Sequence, residues 1–244
     1  MLACCCAKTK TSRDTTTTIV DEFADAGFAI DRWLSPSKVA KVRKKAVGIF
    51  TSRWRDTVKQ AELERSVLRH ISKESNAKWY PRLYEVPQMA KHVFYGYVHG
   101  VDLYEAAPNM PPRDMRVCLT LIVEAVAHMH SLCVAHLDIK PENIVLRCKN
   151  PRAPVLIDFE YAILVDNVRA FRPLSARGTL RYMAPELRYR QLAGCPCDVY
   201  SLGETLVFCT SNARWSVCRD PDRRITAQQF VAAWKNECEQ CEEK

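Results

Sequence analysis

"HLDIKPENIVL", residues 136–146, is the stretch that decides how this chain of 244 residues is read. It sets an aspartate, a lysine and an asparagine at steps of two and three: Asp138, Lys140 and Asn143. Pro141 excludes a helix interior, since proline lacks the N–H and clashes with the preceding turn. The tract therefore reads as a loop that runs into a strand. Fifteen residues after Asn143, at the end of a second short apolar strand, "APVLIDF", comes Asp158. A carboxylate beside a lysine and an amide, with a second carboxylate following a strand, suits phosphoryl transfer. That chemistry needs a group to orient the attacking hydroxyl, a cation near the moving phosphoryl group, and oxygens to hold magnesium. Any one of these residues alone reads as a surface charge; the joint spacing is the signal.

The bulk numbers agree with a soluble globular protein: 48% hydrophobic, 26% charged, 7 glycines. No apolar run approaches the ~20 residues of a membrane helix. The start, "MLACCCAKTKTSRDTTTT", lacks the apolar core of a secretory signal. An intracellular location, cytoplasmic and/or nuclear, is expected, with the 12 cysteines reduced. Cys195/Cys197 and Cys238/Cys241 form close pairs, but neither has a second pair at ligand spacing, which argues against zinc. The triplet Cys4-Cys5-Cys6 suits an inert tail or S-palmitoylation. Net charge is +8, concentrated partly in "KVAKVRKK". No aromatic stripe accompanies that run, so a solvated hairpin or a phosphate-site edge is favoured over a nucleic-acid surface.

Residues 1–18 are polar and Thr-rich, an expected disordered tail. Residues 19–96 read as strands plus one helix, "DTVKQAELERSVLRHI", whose Leu63, Val67, Leu68 and Ile71 suggest a buried face. Residues 97–244 read as mainly helical. A long helix over 113–132 opens after Pro111-Pro112 and places Met115, Leu119, Ile122, Val126 and Met129 on one stripe. The order implies two unequal lobes.

Taken with four further motifs, the chain resembles a eukaryotic-type protein kinase over residues 34–234, a match that implies a two-lobe α+β fold. "HLDIKPEN" is similar to the family's catalytic loop, "IDFE" to its DFG motif, and "RGTLRYMAPE" to the end of its activation segment. "CDVYSLG" and "DPDRRIT" resemble two later motifs. The resemblance implies that Asp138 orients the hydroxyl and Lys140 approaches the γ-phosphate of ATP. It makes Asn143 and Asp158 the ligands of Mg2+, sets Asp198 to brace the loop, and pairs Arg224 with Glu186. Lys140 and Gly178-Thr179 look like the serine/threonine branch. Leu137 stands where the family has a phosphate-gripping arginine, so loop phosphorylation is not expected to be the switch.

The N-terminal part departs from the family. "LSPSKVAKV" aligns with the glycine-rich loop, but Ser35, Ser37 and Ala40 replace its glycines and Pro36 stiffens the turn. "KAVGIF" places Gly48 at the phosphate-binding lysine, sixteen residues before Glu64, that lysine's usual partner. Glu64 is then either an orphaned partner or a solvated charge. Lys44 is the expected surrogate cation, because it shares strand parity with Val42. The adenine pocket is better kept: "HVFYGYVHGVDLYE" resembles the hinge, with Tyr95 as gatekeeper, Tyr97 and Val98 as backbone contacts, Asp102 on the ribose, and Val42, Ala46 and Val145 as walls. Glu160 replaces the DFG glycine. The region between "SLGETL" and "DPDRRIT" is short, an economy that suits a stripped-down kinase such as a viral one. Two readings follow: a serine/threonine kinase with an altered nucleotide clamp, or a pseudokinase that binds a kinase or its substrate. A basic nucleic-acid binder has only net charge behind it.

Overall fold

In the computed structural model the described residues are 23–26, 28–35, 39–44, 48–55, 57–73, 77–96, 98–148, 150–165, 180–189, 193–215 and 217–242. The chain divides into two compact units, residues 1–62 with 83–97, and residues 63–82 with 98–244.

The first unit is built on a five-stranded antiparallel sheet: β1 (Phe28–Ser35), β2 (Val39–Lys44), β3 (Gly48–Trp54), β4 (Leu83–Tyr84) and β5 (His92–Gly96), in the order β1-β2-β3-β5-β4. Strand alternation turns one set of apolar residues to a single face. Val42, Phe28 and Phe94 meet there, joined by Phe23 and Met89. The Phe28 and Phe94 rings lie 4.9 Å apart, and Phe23 meets Phe94 edge-on at 6.1 Å.

Helix α1 (Val58–Ser72) follows β3. A reciprocal capping box opens it: Gln60 N donates to Thr57 Oγ1 at 3.1 Å and Thr57 N to Gln60 Oε1 at 3.0 Å. Its buried stripe is Ala61, Glu64, Arg65, Leu68 and Ile71, with Val67 also enclosed. Leu63, expected on that face, is 39% exposed. At 3.6 residues per turn, position 64 rather than 63 comes round above Leu68. Glu64 is 2% exposed, which excludes its reading as a solvated charge.

The second unit centres on α3 (Pro112–Ser131), entered through Pro112 at the first helical position, where no N–H is needed. All five residues of the expected stripe, from Met115 to Met129, are buried. Before α3 come β6 (Gly100–Asp102) and the short α2 (Leu103–Ala106). After it come β7 (Val134–Ala135), β8 (Ile144–Arg147), β9 (Asn150–Leu156) and β10 (Ile163–Leu164). Strands β6, β8 and β9 form one small sheet; β7 and β10 form another. The last elements are α4 (Pro185–Arg188), α5 (Cys195–Thr210) and α6 (Ala227–Glu242). A second capping box, Thr226 with Gln229, opens α6. Trp234 Nε1 then donates to Thr120 Oγ1 at 2.8 Å, which fastens α6 to α3. Gly203 lets α5 approach the following segment closely, since a Cβ there would meet Val217 and the Trp215 carbonyl. Among the described residues no helix is long and apolar enough to cross a membrane.

Candidate active site

The loop between β7 and β8 is held from below by a single carboxylate. Asp198, on the first turn of α5 and fully buried, accepts from His136 N and Leu137 N, both at 2.7 Å, and from His130 Nε2 at 3.0 Å. A carboxylate in that position offers enough lone pairs to satisfy all three donors. Leu137 adopts a left-handed backbone, φ 64°, which is costly for leucine and persists only where the surroundings fix it. Here the Asp198 bond and burial against Ala135, Met183, Leu187 and Tyr200 do so. The side chain that replaces the family's arginine is part of an apolar core.

His136 connects the loop to the segment that carries Asp158. Its Nε2 donates to the Ile157 carbonyl at 3.0 Å, while Nδ1 accepts from Asp138 N at 3.3 Å, so both ring nitrogens are engaged and the ring's orientation is fixed. Ile157 N in turn donates to the Asn143 carbonyl at 2.8 Å. These two bonds bring the residue before Asp158 against the loop that carries Asn143. Phe159 closes the contact, its ring 4.8 Å from that of His136 and 6.0 Å from that of Tyr80.

Within this frame the three loop residues converge. Asn143 Nδ2 donates to Asp138 Oδ2 at 2.9 Å and to the Asp138 carbonyl at 2.8 Å. Lys140 Nζ lies 3.0 Å from the same Oδ2. Asp138 is 6% exposed, so these charge-assisted contacts act in a partly dry setting that fixes the carboxylate's direction. Because both Asn143 bonds are donated by Nδ2, its amide oxygen is the side left to accept. That oxygen and the Asp158 carboxylate are hard donors, a set that fits magnesium. Asp158 has φ 69°, and the residues after it, Phe159–Tyr161, form a 3-10 turn. Glu160 is not among the left-handed residues, so the backbone there does not require the family's glycine.

The segment before α5 is clamped separately. Glu186 and Arg224 form a buried bidentate pair, Nη1 to Oε1 at 2.6 Å and Nη2 to Oε2 at 3.2 Å. Arg224 also donates to the carbonyls of Cys218, Pro196 and Arg219, which satisfies the rest of its guanidinium. The expected pairing holds. Cys197 adds a thiol that donates to Glu186 Oε1 at 3.3 Å, and burial followed by the Glu186 charge pushes that thiol above its ordinary range. Cys195 is likewise buried, its thiol pushed up to about 12 by burial, so this pair belongs to the core. Beside the loop, Glu142 Oε2 and the Tyr182 hydroxyl are buried without a hydrogen-bond partner among the described residues. Burial raises the Tyr182 phenol to about 12, with Arg181 opposing the rise and Glu142 adding to it.

Of the expected nucleotide residues, Asp102 and Val145 are direct cross-strand partners on β6 and β8. Asp102 Oδ1 accepts from Glu105 N at 2.9 Å and so caps α2. Val98 is half-buried just ahead of β6. Ala46 and Tyr97 lie outside the described residues. The sheet register corrects two others. Tyr95 pairs with Thr51, which pairs with Lys41; Phe94 pairs with Ser52, which pairs with Ala40. Directly paired residues share a face, so Val42, which is fully buried beside Phe94, stands on the face opposite Tyr95. Val42 and Tyr95 cannot both line one pocket. Lys44 has the parity of Val42, and Gly48, its direct partner at the start of β3, does too. Lys41, not Lys44, falls in the row of Tyr95; its Nζ lies 2.9 Å from Asp31 Oδ2. Strand alternation alone cannot show this, because it gives relative parity along β2 and not which residue of β5 shares each row. His130 and Cys197 carried no sequence signal of their roles, which arise from partners 68 and 11 residues away.

A braced loop presenting Asp138, Lys140 and Asn143, joined by backbone bonds to an Asp158 segment, is the arrangement of a phosphotransferase. The protein kinase domain matches residues 38–216, and the chain belongs to that family. The probable serine/threonine-protein kinase PkwA of Thermomonospora curvata is 35% identical over 115 residues, 46% of this chain and 15% of that protein. A probable serine/threonine-protein kinase CHK1 homolog of Encephalitozoon cuniculi is 35% identical over 134 residues, 54% of this chain and 31% of the relative. The calcium/calmodulin-dependent protein kinase type I of Schizosaccharomyces pombe is 32% identical over 99 residues, 40% and 30% of the two chains. The matched stretches span less than a third of each of these relatives.

Proposed function

We propose that this chain is an active serine/threonine kinase that transfers the γ-phosphate of ATP to a protein hydroxyl through an altered nucleotide clamp. The observation that carries this reading is the convergence of Lys140 and Asn143 on one oxygen of Asp138, at 3.0 and 2.9 Å. A binding module that performs no chemistry has no use for a carboxylate oriented in that way. Asp138 directs the incoming hydroxyl and receives its proton. The hydroxyl oxygen bonds to the γ-phosphorus as the bond to the leaving ADP oxygen breaks, and Lys140 stabilises charge on the transferred group. Asn143 and Asp158 would hold magnesium, which when bound neutralises phosphate charge. Glu142 Oε2 and the Tyr182 hydroxyl, buried without partners among the described residues, are places where a bound substrate can restore lost hydrogen bonds.

For the missing cation the resemblance points to a lysine of β2, of which Lys41 shares the row of Tyr95. Gly48 and the lost glycines support the competing pseudokinase reading. Transfer of radiolabelled phosphate to a generic protein substrate, with Asp138→Asn as control, separates the two. Transfer that vanishes in the variant is the expected result. Equal background in both proteins, together with no thermal shift at saturating Mg-ATP, establishes the pseudokinase.

A further inference from the structure

Three thiols among the described residues are exposed: Cys133, Cys148 and Cys218. One of them has a base in contact. His99 Nδ1 lies 3.0 Å from Cys148 Sγ, and both side chains are exposed. The contact is built into the sheet. Gly100 pairs with Arg147, and a Cβ at Gly100 would meet the Leu146 carbonyl, so the β6–β8 approach is closer than any other residue allows. Cys148 N donates to the His99 carbonyl at 2.9 Å and extends that ladder one step past the strand ends. The backbone therefore holds imidazole and thiol side by side. The surrounding sequence, "RCKNPR" over 147–152, is basic, and the Arg147 side chain is exposed.

A thiol reacts as the thiolate, and an imidazole nitrogen within hydrogen-bond reach is placed to take its proton as the sulfur attacks. The phosphoryl-transfer groups do not use either residue. We propose that Cys148 and His99 form a modification site, at which Cys148 undergoes thiol–disulfide exchange with small anionic disulfides. His99 takes the thiol proton; the Cys148 sulfur attacks one sulfur of the disulfide, whose S–S bond breaks. The departing thiolate takes the proton from the imidazolium, so one thiol is consumed and one released. The basic flank favours a carboxylate-bearing disulfide over a cationic one. This inference stands whether or not the chain transfers phosphate.

The test is pulse alkylation of the folded, reduced protein with iodoacetamide near neutral pH, followed by digestion and mass spectrometry of each cysteine peptide. Cys133 and Cys218 serve as internal references. Cys148 should label at least about tenfold faster than either, a modest share of what a positioned base provides. His99→Gln should bring Cys148 down to the reference rate and leave Cys133 and Cys218 unchanged. In a second arm, oxidised glutathione should form a mixed disulfide at Cys148 faster than cystamine, which is cationic. Labelling of Cys148 at the reference rate in the wild type, or an unchanged rate in His99→Gln, overturns the site. Equal or faster reaction with cystamine overturns the preference for an anionic disulfide.

Discussion

Arg224 ends in five N–H groups, and the structure directs them at two carboxylate oxygens and three carbonyls, all within 3.2 Å. Removing the guanidinium strands the buried Glu186 carboxylate, a loss on the order of 3–5 kcal/mol. Arg224→Ala should therefore lower the melting temperature by roughly 10 °C in a chain of this size. An unaltered melting curve would show that the pair contributes nothing. Leu137 is a residue-scale case of the opposite kind. It is 8% exposed among apolar side chains, so it offers nothing to a phosphate. Phosphatase treatment should leave any transfer rate unchanged, and Leu137→Arg should destabilise the protein rather than add control. A large loss of rate on dephosphorylation would show that another basic residue reads the phosphate. At this scale the sequence was legible where the family resemblance fixed the residue: Asp198, Glu186 and Arg224 stand in the contacts that the resemblance implied. The roles of His130 and Cys197 were not legible, because a bond to a residue far along the chain leaves no local pattern.

Elements show where parity and close packing decide. In the five-stranded sheet, Lys41 stands in the cross-strand row of Tyr95, whereas Val42 stands on the other face with Phe94. If Lys41 supplies the phosphate cation, Lys41→Ala should remove most of the thermal shift produced by Mg-ATP. Lys44→Ala and Gly48→Lys should change that shift little. A ligand that binds only the native state stabilises by RT ln(1 + [L]/Kd), so even weak binding is visible at high ATP. Loss of the shift in Lys44→Ala with Lys41→Ala unaffected would return the role to Lys44. Gly203 on α5 is a packing case: an added methyl meets Val217 and a backbone carbonyl. Gly203→Ala gains helix propensity but overpacks, and should cost about 1–3 kcal/mol, measured as a shift in the urea midpoint. A stabilised variant would mean that the 213–217 segment yields readily. The stripe of α3 is an element that local chemistry could announce, and did. The displacement of Leu63 by Glu64 on α1 followed instead from helical phase, which hydrophobicity alone obscured.

Across the whole molecule, buried thiols link stability to pH. Burial raises Cys118, Cys195 and Cys209 from the ordinary 9.0 to about 12, with neighbouring charges adding to the rise at Cys118 and Cys195. As pH climbs past 9, the unfolded chain releases these protons before the native state does, so the native state holds more protons and unfolding is favoured. The contribution is complete below about 9 and is lost as pH rises toward 12. Under reducing conditions the urea midpoint should fall from about pH 8 to about pH 10, and Cys209→Ala should flatten that fall. A midpoint that holds constant over this range would show that these thiols ionise as freely in the native state as in the unfolded chain.

The amino-acid sequence by itself determined the family, the division into a strand-rich and a helix-rich part, and the motif spacing that marks the candidate phosphoryl-transfer loop. Each of these rests on short-range spacing: a turn before a strand, a stripe every three or four residues, a carboxylate two positions from a lysine. Tertiary structure alone decided which face of the first sheet Val42, Lys41 and Tyr95 occupy, because a single step in register reverses every side chain of a strand and leaves its sequence pattern intact. It alone decided that Glu64 is enclosed, that Asp198 gathers three donors, and that His99 meets Cys148. Those are meetings of residues distant in the chain, fixed by how the elements pack.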